Sequence, residues 1–202
     1  EATYGLIGDW NVSAVTNMSE AFFPYRTGGS VTNTFNEDIS SWDTSSVTNM
    51  QSMFASATSF NQPLNWDVSS VLSTYRMFYN ATSFNSTLNF SDTSNVTSMS
   101  EMFYNATSFN QPLNFDTSSV TSMIAMFLQA TSFNQPLSWD VSSVTTMQNM
   151  FANVNFSTTN YDLILVAWEG YLQTAFPSGV GYTQNISVSF NTTQYTSGSA
   201  AE

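Results

Sequence analysis

Phe133-Asn134-Gln135-Pro136-Leu137-Ser138-Trp139-Asp140-Val141-Ser142-Ser143-Val144-Thr145-Thr146-Met147-Gln148-Asn149-Met150-Phe151 is one copy of a unit that recurs every 24 or 25 residues. Phe-Asn pairs anchor five copies: Phe35-Asn36, Phe60-Asn61, Phe84-Asn85, Phe109-Asn110 and Phe133-Asn134. A valine column runs through Val15, Val47, Val71, Val96, Val120 and Val144. The positions three, six and seven residues beyond each valine are mostly Met, Met and Phe, and all ten methionines fall in those columns. A unit this short cannot bury its own apolar face, so the copies must stack.

Within a unit, the spacing of Leu64 and Trp66 between polar Asn65 and Asp67 predicts a short half-buried strand opened by Pro63. Leu88/Phe90, Leu113/Phe115 and Leu137/Trp139 repeat it, as does Ile39/Trp42 with one extra residue. Stacked copies would then form a parallel sheet with strands about 4.8 Å apart. Beyond the strand, Ser142 or Ser143 suits an N-cap, and Val144, Met147, Met150 and Phe151 suit one face of a two-turn helix. The fold expected is therefore an α/β repeat solenoid, with short strands on one side and short helices on the other. Methionine fills irregular gaps between such helices; the competing reading is a plastic binding stripe.

Two polar columns carry the alternatives for chemistry. Side-chain amides of Asn36, Asn61, Asn85, Asn110 and Asn134 can bond backbone groups left unpaired at a turn and can bond each other, or they can read a ligand. Asp43, Asp67, Asp92, Asp116 and Asp140 share one position, with Asn11 in the first unit. Carboxylates stacked about 5 Å apart need an offset. Backbone N-H groups near a helix start would supply it, and a line of Ca²⁺ ions is the alternative, although the glycine-rich turns of calcium-binding repeats are absent. A retaining-glycosidase pair fails because it needs two different environments and the copies are equivalent.

Composition narrows function. A 42% hydrophobic and 15% aromatic content supports a core, while 14 acidic residues face only Arg26 and Arg76, for a net charge of -12. That balance disfavours nucleic acid and anionic membrane as partners. The chain has no cysteine, histidine or lysine, which removes thiolate, imidazole and Schiff-base chemistry; no catalytic residue and no cofactor is expected. No run of about 18 apolar residues predicts a membrane span. Asn-x-Ser/Thr sequons at Asn11, Asn17, Asn80, Asn85, Asn89, Asn95, Asn105, Asn155, Asn185 and Asn191 point to N-linked glycans and an extracellular location if the source is a eukaryote. Of these, Asn17 and Asn95 adjoin an expected helix start. The terminal residues read as a piece of a longer precursor.

The unit resembles the BspA-like leucine-rich repeat of surface proteins, with the pattern F-N-x-x-L-x-x-W-D-x-S-x-V-x-x-M-x-x-M-F, from about Trp10 to Phe151, although only the copy with Ile39 and Trp42 keeps two residues between the aliphatic and aromatic positions and the others have one. The resemblance implies a right-handed solenoid, secreted or displayed on the cell surface, with adhesion or protein interaction as its role and no catalytic residues. Residues 1-156 are expected to form about six coils. Residues 157-202 are expected to cap them, with a helix from Asn160 to Gln173 opened by Thr159 or Asn160. A strand through Ile186, Val188 and Phe190 follows, and Tyr195 to Ala201 resembles the start of the family's C-terminal cap.

Departures from the repeat are Pro24-Tyr25-Arg26-Thr27-Gly28-Gly29-Ser30, which should protrude, and Thr74, Tyr75 and Arg76, which alter one unit. Two functions follow. The chain is an adhesion module for an extracellular protein or glycan, or it is a filament subunit that stacks end to end on copies of itself through unblocked edges. A regular Thr column (Thr58, Thr82, Thr107, Thr131) adds an ice-binding reading, tested by thermal hysteresis.

Overall fold

The computed structural model describes residues 5–24 and 34–175, with side chains followed as far as Glu169. The protruding loop beyond Pro24, the strand at Ile186 to Phe190 and the sequons Asn185 and Asn191 lie outside the described residues, as does the stretch from Tyr195 to Ala201.

The copies do stack, but not as a sheet-and-helix solenoid. Among the described residues no run forms a strand, and the only α-helix is α1, Thr158–Ala175, beyond the last copy. The leucine-rich-repeat-like architecture expected from the sequence is therefore corrected. Parallel pairing is reduced to isolated bridges, which run Asn17↔Asn49↔Ser73↔Ser98↔Ser122↔Thr146. These sit two residues beyond the column valine, where a helix was expected to begin. At the expected strand position the pairing is a single bridge, Leu64↔Leu88.

Hydrogen bonds show what replaces the helices. Beyond each valine before the last, alternate N-H groups leave the coil, as after Val96: Met99 donates to Ser122, Glu101 to Ile124, Phe103 to Met126 and Asn105 to Leu128, at 2.7–3.0 Å. The groups between them close tight turns within the coil, as Met102 N-H to the Met99 carbonyl and Ala106 N-H to the Phe103 carbonyl. The third residue of each such turn has positive φ, in two columns. One is Glu20, Ser52, Arg76, Glu101, Ala125 and Asn149; the other is Ser56, Asn80, Asn105, Gln129 and Asn153. Positive φ at the third position is the demand of a type II turn, and Asn tolerates it best among non-glycine residues. An α-helix would turn these donors back onto its own carbonyls four residues earlier. Here they bind the neighbouring coil.

Spacing explains why that arrangement wins. Phe22, Phe54, Phe78, Phe103, Phe127 and Phe151 form a column of parallel rings with centroids 5.1–5.7 Å apart. Packed helices need about 8–10 Å between axes, so no helix fits in coils this close. The anchor phenylalanines Phe35, Phe60, Phe84, Phe109 and Phe133 form a second column at 5.7–6.0 Å. Within each coil the two columns touch, at 4.1 Å for Phe78–Phe84, Phe103–Phe109 and Phe127–Phe133. The methionines are all buried beside them. They line turns rather than a helical face.

The tryptophan column is tied along the stack as well. The indole N-H of Trp42 donates to the Ile7 carbonyl, that of Trp66 to Ile39 and that of Trp139 to Leu113, at 2.9–3.3 Å. Ile7–Asp9, a short 3-10 turn, therefore fills the place in the first coil that Ile39 holds in the second. Gly8 passes so near Asp38 that a Cβ would lie 2.6 Å from its carbonyl oxygen. At the other end α1 covers the last coil: Ile164 and Trp168 are buried, and the Trp168 ring stacks on Phe151 at 6.0 Å.

Candidate interaction surfaces

The Asn column runs unbroken. Oδ1 of Asn36 accepts the Asn61 N-H, Asn61 that of Asn85, Asn85 that of Asn110 and Asn110 that of Asn134, at 2.8–2.9 Å. Side chains one residue further on reinforce it, as Gln135 Nε2 donates to both the carbonyl and Oδ1 of Asn110. Ser157 ends the column: its N-H donates to Asn134 Oδ1, and its hydroxyl accepts the Asn160 N-H at the start of α1. The helix cap is thus Ser157, where Thr159 or Asn160 was expected. A serine side chain is too short to continue the amide column, so coil stacking and helix capping meet at one residue.

Each aspartate of the acidic column turns back on its own chain. Oδ1 of Asp43, Asp67, Asp92, Asp116 and Asp140 accepts the N-H of Ser45, Ser69, Ser94, Ser118 and Ser142, at 2.8–3.1 Å. Asn11 does the same for Ser13. These are Asx turns and not helix starts. The Ser45 hydroxyl and then its N-H hold the Asp43 carboxyl below the usual range, and Ser118 does so for Asp116 in the same order. For Asp67 the Ser69 N-H contributes more than its hydroxyl. Among the described residues no three acidic side chains converge where they could hold a metal ion.

Next to the aspartates lies a column the sequence reading passed over. Thr44, Thr93 and Thr117 are buried, and their hydroxyls donate to the carbonyls of Asp67, Asp116 and Asp140 in the next coil, at 2.7–2.9 Å. Val12, Val68 and Val141 occupy the same column in other coils. Alternation of two β-branched residues of one shape was the available signal.

Of the sequons, Asn11, Asn17, Asn85, Asn89, Asn95 and Asn155 are exposed, while Asn80 and Asn105 are half-buried and bonded to each other at 3.0 Å. The Thr column is uneven: Thr58 and Thr131 are exposed, Thr82 and Thr107 only partly so.

One surface breaks the repeat. Arg76 Nε meets Glu101 Oε2 at 2.9 Å, and its guanidinium lies 4.9 Å from the centre of the Tyr75 ring and 5.1 Å from that of Tyr79. Tyr79 stacks on Tyr104 at 4.6 Å, and the Tyr75 hydroxyl donates to Glu101 Oε1. Burial and then the Glu101 charge push the Tyr75 hydroxyl up from its ordinary value. Leu72, with 56% of its surface exposed, lies on the same coil.

Columns of stacked rings, amides and inter-coil backbone bonds define a repeat protein of close-packed turns. The chain belongs to the family described as Mycoplasma protein of unknown function, DUF285, whose model matches residues 2–114 and 87–187. That match fits a repeat family of the BspA-like kind without carrying a leucine-rich-repeat geometry. No curated protein and no solved structure matches the chain. No helix among the described residues is long and apolar enough to cross a membrane.

Proposed function

We propose that the chain is a non-catalytic interaction module of the adhesion type, secreted or held at a cell surface, for an extracellular protein or glycan. One observation carries the reading. The polar groups that recur along the stack serve the fold, the Asn column by bridging coils and the Asp column by closing Asx turns within each coil, whereas the side chains that break the repeat (Leu72, Tyr75, Arg76, Tyr79, Tyr104) reach the surface. A scaffold that is uniform inside and individual at one place outside is suited to present that place.

The exposed sequons support an extracellular setting, because a glycan needs an accessible amide. The filament alternative has less support: α1 stands over the last coil, so an end-to-end contact between copies would first have to displace Trp168 from Phe151. The test is retention of cells on beads carrying the chain, with cell-surface glycans intact, stripped by glycosidases, or stripped of protein by protease. Retention above albumin-coated beads, abolished by one of the strippings, is expected. No retention of any cell type, or polymer in sedimentation velocity, would overturn the module reading.

A further inference from the structure

We propose that the cluster of Tyr75, Arg76, Tyr79, Glu101 and Tyr104 is a binding site for a neutral oligosaccharide. The inference rests on the module reading and gives it a place and a ligand class.

The fold does not require these residues. Tyr79 and Tyr104 stand eight residues beyond their column valines, a position held by Ala55 and Ala152 in other coils. Arg76 and Glu101 stand five residues beyond, where Ser52 and Ala125 serve equally well in the same positive-φ turn. Coils with alanine and serine there stack with the same backbone bonds, as Ser52 N-H to Tyr75 and Ala125 N-H to Gln148. In this one place, two adjacent coils carry large side chains at both positions. Together they form the sole ion pair, the sole cation-π contacts and the sole tyrosine stack among the described residues.

The chemistry offered is what a sugar takes. Pyranose rings present a face of C-H groups that packs on an aromatic ring, and an edge of paired hydroxyls that bonds planar charged groups. Tyrosine supplies rigid apolar area with a polar tip. No third ring continues the stack beyond Tyr104; Leu128, half-buried, follows in that column. Arg76 engages Glu101 through Nε, so the other guanidinium donors carry no bond to a described residue, and 42% of the side chain is exposed. The hydroxyls of Tyr79 and Tyr104 are likewise without a partner among the described residues, and neither ring is fully buried. The Arg76–Glu101 pair fixes both groups in place beforehand, which reduces the ordering cost of binding.

Charge selects among glycans. The chain carries a net charge of -12, so a sulfated or uronic-acid polymer approaches against the field, whereas a neutral sugar does not. A basic protein partner that uses the same tyrosines would be steered by that field and would bind more weakly as salt rises. A neutral oligosaccharide would bind independently of salt.

The probes are cellohexaose, laminarihexaose and mannohexaose, with heparin as the anionic control, titrated into the full chain and followed by calorimetry and ligand-observed NMR. Tyr104→Ala and Arg76→Ser copy residues found at the same positions of other coils, so each variant should fold; thermal melts check this. The proposal expects at least one neutral hexasaccharide to bind, unaffected by salt, and to lose about tenfold or more in affinity in either folded variant. No binding of any neutral hexasaccharide, or heparin binding alone, would overturn it. So would equal affinity in wild type and both variants. Cell retention that survives Tyr104→Ala would sink this site and leave the module reading standing, whereas loss of all retention by the wild-type chain would sink both.

Discussion

Asn110→Ala isolates the amide column in one position. In the folded chain Asn110 Oδ1 accepts the Asn134 N-H at 2.9 Å and Gln135 Nε2 at 3.0 Å. Alanine removes both bonds but leaves the Asn110 N-H on Asn85 Oδ1 and Gln135 Nε2 on the Asn110 carbonyl. The loss therefore falls on the Asn134 N-H, half-buried between coils. An orphaned backbone donor costs about 1–3 kcal/mol when fully buried, and partial access to water places this one near the lower half of that range. A chain of this size shifts its melting temperature by about 2–4 °C per kcal/mol, so a fall of about 2–8 °C is expected. Asn110→Asp retains an oxygen in the acceptor position and should lose clearly less at neutral pH. Thermal melts of the three proteins, followed by near-ultraviolet circular dichroism, make the comparison. Equal losses in both variants, or no loss in Asn110→Ala, would refute the idea that the side-chain oxygen bridges the coils.

Other outcomes follow from the same geometry. Phe109→Ala removes a fully buried ring that touches Phe84, Phe103 and Phe133, and should cost about 3–5 kcal/mol, read from urea midpoints. Trp168→Phe should be neutral or stabilising by the same measure, because the Trp168 indole N-H is buried without a partner among the described residues. Asp116 is held below the usual carboxylate value, so its contribution is present above about pH 4, where the unfolded residue is ionised, and is lost as pH falls through its lowered folded value. A carbon-13 titration of the Asp116 carboxyl placing its midpoint at or above about 3.9 would contradict this. Ca²⁺ should leave the melting temperature unchanged, since the aspartates bind serine N-H groups and do not converge; a rise with millimolar Ca²⁺ would revive the metal column.

What the sequence showed was the period and the partners along each column. Equal spacing of Phe-Asn pairs placed Phe60 on Phe84 and Asn61 beside Asn85, and that much needs no knowledge of backbone conformation. The conformation itself was misread. Val144, Met147, Met150 and Phe151 have helical spacing, yet the equivalent residues of the earlier copies lie in tight turns whose alternate donors cross to the next coil. Periodicity reports which side chains share a face and not which carbonyl takes each N-H. A decisive hint lay in Asn80, Asn105 and Asn153 at one position of positive φ, since asparagine tolerates that region. The column of Phe rings was a second hint: coils close enough to stack rings leave no room for helices between them. In the surface cluster, Tyr75 and Arg76 stood out as a departure. Their pairing with Glu101, and the stacking of Tyr79 on Tyr104, did not, because Glu101 and Tyr104 belong to a different copy.

Scalar couplings across hydrogen bonds test the stacked-turn account most directly. In an isotope-labelled chain, the amide nitrogen of Phe127 should couple to the carbonyl carbon of Met150, in the next coil, and that of Asn134 to the side-chain carbonyl carbon of Asn110. Coupling of Phe127 to the carbonyl of Met123, four residues back, would mean that each coil carries a helix after all, and would contradict the account.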